Sequence, residues 1–493
     1  MANSPIRVAE MFAGVGGFRL GLEGHPDSDE DTGFRVVWSN QWEPGERAQW
    51  ASRIYEERFG SDGHSNDSIH DFTSPKDGVA DIPDHDLLVG GFPCQDYSVA
   101  RTVSGELGIK GEKGKLWVDI ARIIRHKRPR PKVVLLENVP RLLNSPANAR
   151  GLNFAIILND LLRMSYHVEW RVINAADYGM PQQRKRVFIF AYRNSNYGTP
   201  DINGKPNFGC KKAGIRSTIQ KWLIGGDEET GSPMSTSFPC EGELPIKAQF
   251  LPELDTFDKG NSPFGNVGYA WKKKKHTMPD GSAITDVNMF WTTKVKADYE
   301  GERRTLGDVL VDEHDPSYEI ECEDELHEWM YAKSEKKEFR IRREDRERAE
   351  AIEVPEWERN LWEIYRMCLG EPDSDGWDIY RDLFTEHLGD ICYKYEEGQI
   401  AYPDLLDRPS RTVVTSEIGR SASRMRHLIR MDDGIWRRLM PIELERLNMF
   451  PDDWTLIDGI SDSRRGFLMG NALVVGVIER LRGPLSRILQ RSD

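Results

Sequence analysis

One cysteine in this sequence is well suited to nucleophilic chemistry: Cys94, in Gly90-Gly91-Phe92-Pro93-Cys94-Gln95. It follows Asp86-Leu-Leu-Val89, a short apolar run that reads as a buried strand, so glycine and proline hold the thiol on a rigid turn at a strand end. A thiolate is intrinsically reactive and needs accurate placement. The bland alternative is an inert, buried cysteine. Against it stands the polar, Gly- and Lys-rich stretch from Val99 to Gly114, which could close over a ligand as a lid. A carboxylate occupies a comparable place, because Val133-Val-Leu-Leu-Glu137-Asn138 ends a second apolar strand in Glu137. Strands of a parallel sheet end on one edge, so Cys94 and Glu137 can share a pocket, and a partly desolvated glutamate can donate a proton near neutral pH. Further on, Gln182-Gln183-Arg184-Lys185-Arg186 leads into another strand. In an extended chain Arg184 and Arg186 project to the same face, where they could orient the carboxylate or bind a carbonyl oxygen or a phosphate.

A fourth segment points to a cofactor. Phe12-Ala13-Gly14-Val15-Gly16-Gly17 places small residues between the strand Arg7–Met11 and a helix beginning near Phe18, and glycine lets backbone approach a ligand closely. The pattern is not G-x-G-x-x-G, which disfavours a nicotinamide. After the next strand, Phe34–Trp38, come Gln41, Trp42 and Glu43, where a polar group for a ribose belongs; Trp42 reads equally well as core.

The elements that must position these residues alternate strand and helix. A helix is predicted over Glu46–Phe59 after Pro44-Gly45, another over Leu152–Met164, and strands over His167–Ile173 and Arg186–Ala191. This alternation implies an α/β fold with a doubly wound, Rossmann-like sheet that binds ligands at the carboxyl ends of its strands. From about Asn194 to Ile400 the pattern gives way to Gly, Pro, Lys and Asp, with isolated aromatics. The expected organisation is therefore a main catalytic part at 1–195, a smaller domain of irregular β structure at 196–400, and a remainder at 401–493. The middle domain carries an acidic helical insertion near 340–390. In the remainder Leu473, Val474, Val477 and Leu481 mark one face of a helix that completes the catalytic part.

The 493 residues carry 38% hydrophobic and 30% charged side chains, which describes a protein with a substantial core. No apolar run approaches the roughly 20 residues needed to span a bilayer, and the first residues lack an apolar signal core. Six cysteines without a C-x-x-C pair argue against a zinc site or a disulfide framework and fit a reducing cytoplasm. The formal charge of −14 is unevenly placed, with basic runs at Arg125–Lys132 and Lys272–His276 and dense acid over Asp312–Glu328 and Glu344–Asp375. It neither supports nor excludes nucleic acid as a partner, and a salt-adapted acidic surface would read the same way.

Taken in order, the segments resemble the DNA (cytosine-5) methyltransferase family of the prokaryotic restriction-modification type. They are Phe12–Gly17, Gly91-Phe-Pro-Cys-Gln95, Glu137-Asn-Val139, Gln182-x-Arg184-x-Arg186, Arg408-Pro-Ser-Arg-Thr412 and Gly470-Asn471-Ala472-Leu-Val474. The resemblance covers roughly residues 6–195 and 400–485. It implies S-adenosylmethionine as methyl donor, a cytosine flipped out of double-stranded DNA, attack of Cys94 on C6, and Glu137 at N3 and the exocyclic amine. Arg186 would serve the C2 carbonyl, and Arg184 would hold the loop and the acid. It also implies no metal. Around the donor it implies Phe12, Trp42, the turn Ala13–Gly17, Gln41, Asp67, Pro93, Asn471 and Ala472, and near DNA it implies Gln95 and Ser98. Ser262–Gly268 with Trp271 resembles the recognition region of some such enzymes, whose lysines, here Lys272, Lys273, Lys274 and Lys275, would meet phosphates. A cognate restriction endonuclease, a monomeric state and a nucleoid-associated location follow as expectations. Two positions depart from the family: Gln41 stands where an acid for the ribose is usual, with Glu43 as a substitute, and Ser68 rather than Asp67 precedes Ile69. Rival readings are a tRNA-directed methyltransferase, a catalytically silent DNA-binding homologue and, more distantly, a nicotinamide oxidoreductase.

Overall fold

Short apolar runs separated by helices build one large sheet, whose central strands are buried on both faces and so read without alternation. A computed structural model of the chain describes residues 4–73, 79, 81–92, 115–193, 215–225, 227–273, 276–277, 283–284, 287–334, 336–341 and 392–490. In chain order come β1 (Ile6–Met11), α1 (Gly17–Glu23), β2 (Phe34–Asn40), α2 (Trp50–Phe59), β3 (His64–Ser65), β4 (Leu87–Gly91), α3 (Lys115–His126), β5 (Val133–Asn138), α4 (Leu152–Arg163), β6 (His167–Asn174) and β7 (Lys185–Tyr192). Each strand expected from the sequence is present within a few residues. Helix α2 starts at Trp50 rather than Glu46, because Gly45 and Gln49 take left-handed backbone with φ of +80° and +46°. Three more strands join the sheet: β8 (Gln249–Phe250), β9 (Val267–Lys273) and β10 (Val287–Thr293).

The strand order is β3-β2-β1-β4-β5-β7-β6-β9-β10-β8. Pairing is parallel from β3 to β5 and antiparallel from there outward. The order reverses between β1 and β4, and a crevice at the carboxyl ends of such neighbours is where open α/β sheets bind ligands. Helix α5 (Asp462–Asn471) precedes α6 (Val475–Gln490), which packs with α1 on one face of the sheet; Phe18, Leu22, Val477, Ile478 and Leu481 share that apolar cluster with Val8 and Leu87. Helices α3 and α4 cover the other face with Ile120, Ile124, Phe154 and Leu158 against Leu88 and Leu136. The doubly wound expectation is therefore met. Helix α6 begins at Val475, so Leu473 and Val474 precede it. No helix among the described residues is long and apolar enough to cross a membrane.

The sheet does not stop near residue 195, where the sequence pattern dissolves. Strand β9 pairs with β6, Val267 opposite Arg171 and Ala270 opposite Val168, so Val267–Trp271 is buried in the large sheet, while Ser262, Pro263, Gly265 and Asn266 before it are partly exposed. Gly268 is needed there, because a Cβ would lie 2.0 Å from the Trp170 ring. Residues 1–318, 405–419 and 438–493 form one compact unit. Residues 319–404 with 420–437 form a second, smaller one. The second unit holds the helix Glu323–Lys333, the hairpin Lys336–Ile341 with Cys392–Glu397, and the short pair Ile429–Arg430 with Trp436–Arg437. Its small core of Ile320, Trp329 and Leu428 surrounds a buried ion pair, Lys333 Nζ to Asp404 Oδ2 at 2.7 Å. Of the helical insertion expected near 340–390, residues 340 and 341 end a strand, and the rest lies outside the described residues.

One buried acid in the sheet has a consequence for stability. Glu10, fully buried in β1, accepts from the Tyr55 hydroxyl at 3.0 Å, and its other oxygen has no hydrogen-bond partner among the described residues. Burial lifts its carboxyl from 4.5 to about 8, against the lowering influence of Tyr55 and Arg19. Between those values the folded chain holds a proton that the unfolded chain has released, so stability falls as pH rises through the window. The slope from this one group reaches about 1.4 kcal/mol per pH unit at most. Glu10→Gln should flatten the dependence of the thermal midpoint on pH in that window and be the more stable protein near its upper end. Identical profiles for Glu10→Gln and wild type would show that Glu10 is ionised in the fold.

Candidate active site

The parallel register brings four strand ends to one edge. Met11 lies opposite Asn40 of β2 and Gly90 of β4, and Gly91 lies opposite Glu137 of β5. Strand β7 runs the other way, so its first residues reach the same edge: Phe188 faces Glu137 and Val187 faces Asn138. Glu137 is thereby delivered to Arg186, whose Nε lies 2.7 Å from Oε1. Burial raises the Glu137 carboxyl above its ordinary range, while Arg186 and then Arg184 pull it down. Burial and the two arginines thus act on the acid in opposite senses, with burial the larger influence. Gly91 leaves it room, since a Cβ there would come within 3.1 Å of Oε2. Asn138 performs a service the sequence did not reveal: its Nδ2 donates to the Phe92 carbonyl at 2.8 Å, fixing the end of β4 from which the chain continues to Cys94. Pro93, Cys94, Gln95 and Ser98 lie outside the described residues.

The two arginines do different things. Arg186 makes the ion pair, whereas Arg184 is fully buried and turns to backbone carbonyls, Val413 at 3.3 Å and Gly470 at 2.7 Å. Beside it Gln182 accepts from Val413 N at 3.0 Å and donates to Asn448 Oδ1 at 3.1 Å, while Gln183 N donates to Ser410 O at 2.7 Å. Gln182-x-Arg184 thus ties Arg408–Thr412 and Gly470 to the strand that carries Arg186.

At the other end of the edge, the turn after β1 is left-handed at Phe12, Gly14 and Gly16, with φ of +53°, +56° and +88°. A non-glycine residue in that region costs about 1 kcal/mol or more, a strain typical of functional sites. Nothing lies within 4 Å of where a Gly14 Cβ would stand, so open space adjoins the backbone there. Gln41 spans the gap from β2, accepting from Gly14 N at 2.8 Å. Glu43 Oε2 accepts from Arg464 Nη2 of α5 at 2.9 Å. Trp42 is 41% exposed and so is not core, unlike the buried Trp38 two turns of the pleat earlier. Asp67 is exposed and joined to Ser65 through its hydroxyl at 3.0 Å, and its backbone carbonyl accepts from Asn40 Nδ2 at 2.8 Å. From the C-terminal part, Trp454 Nε1 donates to Val15 O at 2.8 Å, and a Cβ on Gly17 would lie 3.2 Å from both Leu473 and Phe450. Asn471 and Ala472 close α5, Asn471 exposed. An uncovered ring, a strained backbone cradle and polar side chains at its rim fit a nucleoside-containing cofactor. Lys272 and Lys273 end β9 and are partly exposed; Lys274 and Lys275 lie outside the described residues.

The chain matches the family described as C-5 cytosine-specific DNA methylase over residues 6–244 and 283–487. It is similar to the Type II methyltransferase M.Sau3AI of Staphylococcus aureus, at 35% identity over 98% of this chain and 96% of that protein. It is also similar to the Type II methyltransferase M.HhaI of Haemophilus parahaemolyticus, at 35% identity over 45% of this chain and 58% of that one.

The division of labour between the arginines is testable. Arg184→Met strips donors from buried carbonyls and should destabilise the protein by about 3 kcal/mol. A lower thermal midpoint and faster amide exchange around residues 413 and 470 would report it. Arg186→Met should leave those amides protected and instead raise the Glu137 carboxyl further. An unchanged midpoint for Arg184→Met would remove its bracing role.

Proposed function

This chain belongs to the C-5 cytosine-specific DNA methylase family and is a DNA cytosine-5 methyltransferase of the restriction-modification type, and from that premise we propose that it takes the methyl group from S-adenosylmethionine and uses Cys94 as a transient nucleophile on a flipped-out cytosine. The observation that carries this reading is the Glu137–Arg186 pair at 2.7 Å, beside the strand end that leads through Phe92 and Pro93 to Cys94.

The Cys94 thiolate adds to C6, forming an S–C6 bond and moving a ring electron pair towards C5. Glu137 hydrogen-bonds N3 and the exocyclic amine, supplying a proton as charge develops on the ring; its raised carboxyl suits that task. Arg186 donates to the carbonyl oxygen at C2 while it holds Glu137. The donor, when bound, supplies an electrophilic methyl group on a sulfonium. C5 takes that methyl as the S–CH3 bond breaks and leaves the thioether S-adenosylhomocysteine. The C5 proton then passes to a general base, the released electron pair expels Cys94 as thiolate, and Glu137 recovers its proton from N3 as the aromatic ring is restored. Attack at C6 is what makes C5 nucleophilic.

Phe12 and Trp42 would hold the adenosyl group, Ala13–Gly17 the methionine part, and Gln41 the ribose through the amide nitrogen that Gly14 does not engage. Asp67, Pro93, Asn471 and Ala472 complete that pocket. Gln95, Ser98 and Lys272–Lys275 are assigned to DNA, and the region 196–400 to reading the target bases, with a cognate endonuclease as partner.

Incubation of the protein with labelled S-adenosylmethionine and duplex DNA, followed by base-resolution mapping of 5-methylcytosine, tests the reading. Transfer to cytosine C5 at one short site is expected, with a denaturant-stable adduct on DNA carrying 5-fluorocytosine. Cys94→Ala should abolish both while keeping donor binding, and Glu137→Gln should slow transfer by about 10²–10⁴. Labelling of tRNA alone, or a Cys94→Ala variant as active as wild type, would overturn it.

A further inference from the structure

The turn between β2 and α2 carries Trp42, and two of its acids converge on one arginine from a distant part of the chain. Arg464 Nη2 lies 2.9 Å from Glu43 Oε2 and 3.1 Å from Glu46 Oε2. The guanidinium packs 4.6 Å from the Phe467 ring centroid, and its Nε is buried without a hydrogen-bond partner among the described residues. Arg464 stands in the first turn of α5, where the Ser461 hydroxyl caps its backbone N–H, and the same helix ends in Asn471. Within the turn, Gln49 accepts from Glu43 N at 2.9 Å and donates to Glu43 O at 2.8 Å, so Glu43 to Gln49 moves as one piece. Arg53 and Arg58 of α2 also bond the carbonyls of Asp458 and of Asp453, Trp454 and Leu456, just before α5, but among the described residues Arg464 is what joins Glu43 and Glu46 to that helix.

We propose that Arg464 is a positioning residue for the methyl donor: its double ion pair to Glu43 and Glu46 holds the turn that presents Trp42 in register with the helix that presents Asn471. This rests on the donor pocket proposed above and adds a residue outside it. Trp42 is 41% exposed, so few contacts of its own fix the ring in place. A turn that is fixed before the donor arrives need not be ordered by it, and pre-organisation of that kind appears in affinity. Glu43 then serves the clasp and not the ribose, which leaves Gln41 as the polar group at the end of β2. The three side chains are about one-fifth to one-third exposed, so the clasp is partly open to screening by salt.

The test is titration of the full-length protein with S-adenosylmethionine, together with steady-state kinetics at saturating DNA. Arg464→Ala should weaken donor binding and raise the donor KM by about five- to tenfold, with kcat at saturating donor within about twofold of wild type. Arg464→Lys should recover most of the loss. Glu43→Gln with Glu46→Gln should reproduce it, and raising salt from about 50 mM to about 500 mM should weaken wild type but not Arg464→Ala. Donor affinity equal to wild type in Arg464→Ala, or a fall in kcat without a change in KM, overturns the proposal even if the thermal midpoint drops. Wild-type protein that binds no S-adenosylmethionine overturns the donor pocket itself, and the clasp with it.

Discussion

Strands β5 and β7 pair in antiparallel register, and that pairing decides what the carboxyl edge of the sheet can hold. A carboxylate buried at the end of β5 needs a cation or a proton. Because β7 starts where β5 stops, Arg186 arrives beside Glu137 at 2.7 Å without any loop having to be placed. Had β7 continued the parallel order of β1, β2 and β4, its first residues would lie at the opposite edge, roughly 20 Å away. The reversal of direction and the reversal of strand order between β1 and β4 therefore cooperate. One opens a crevice after β1 and β4, and the other furnishes its far wall with a charged pair.

The walls of that crevice are completed by chain that returns from far along the sequence. Gln182 and Arg184 hold Val413, Asn448 and Gly470, and Trp454 holds the carbonyl of Val15. All of these but the bond between Gln182 and the Asn448 side chain involve a backbone N–H or carbonyl, so they fix the path of the chain at Val413, Gly470 and Val15. A buried guanidinium that satisfies carbonyls is costly to remove and indifferent to substrate chemistry, which is why Arg184 braces the site while Arg186 faces the acid.

Much of this was legible in the sequence, and the illegible part has a common cause. Strands buried on both faces announce themselves as apolar runs, so β1, β2, β4, β5 and β7 were readable, and with them the shared edge that holds Glu137 and the glycine turn. Strand β9 was not, since Val267-Gly-Tyr-Ala-Trp-Lys-Lys273 owes its place to pairing with β6 and to the Trp170 ring that fills the space above Gly268. The separate jobs of Arg184 and Arg186 were equally hidden, because two residues of one motif differ only in what distant chain lies against them. Glu43 illustrates the same limit. Its type and position suggest a ribose ligand, and only the arrival of Arg464 shows the carboxylate to be engaged.

The acidity of the chain also looks different once partners are known. Glu10, buried beside a tyrosine, is pushed to about 8, and Glu169, buried in β6, to about 7. Near neutral pH the first keeps most of its proton and the second part of its own, so the formal charge of −14 overstates the negative charge that the folded chain carries there. Further acid serves local structure: Glu323, Asp324 and Glu325 occupy the first turn of a helix, where negative charge is favourable. A phosphate backbone responds to cations within a Debye length of about 10 Å, not to the molecular total. An acidic protein can therefore act on DNA as long as its arginines and lysines are not all committed to its own carboxylates.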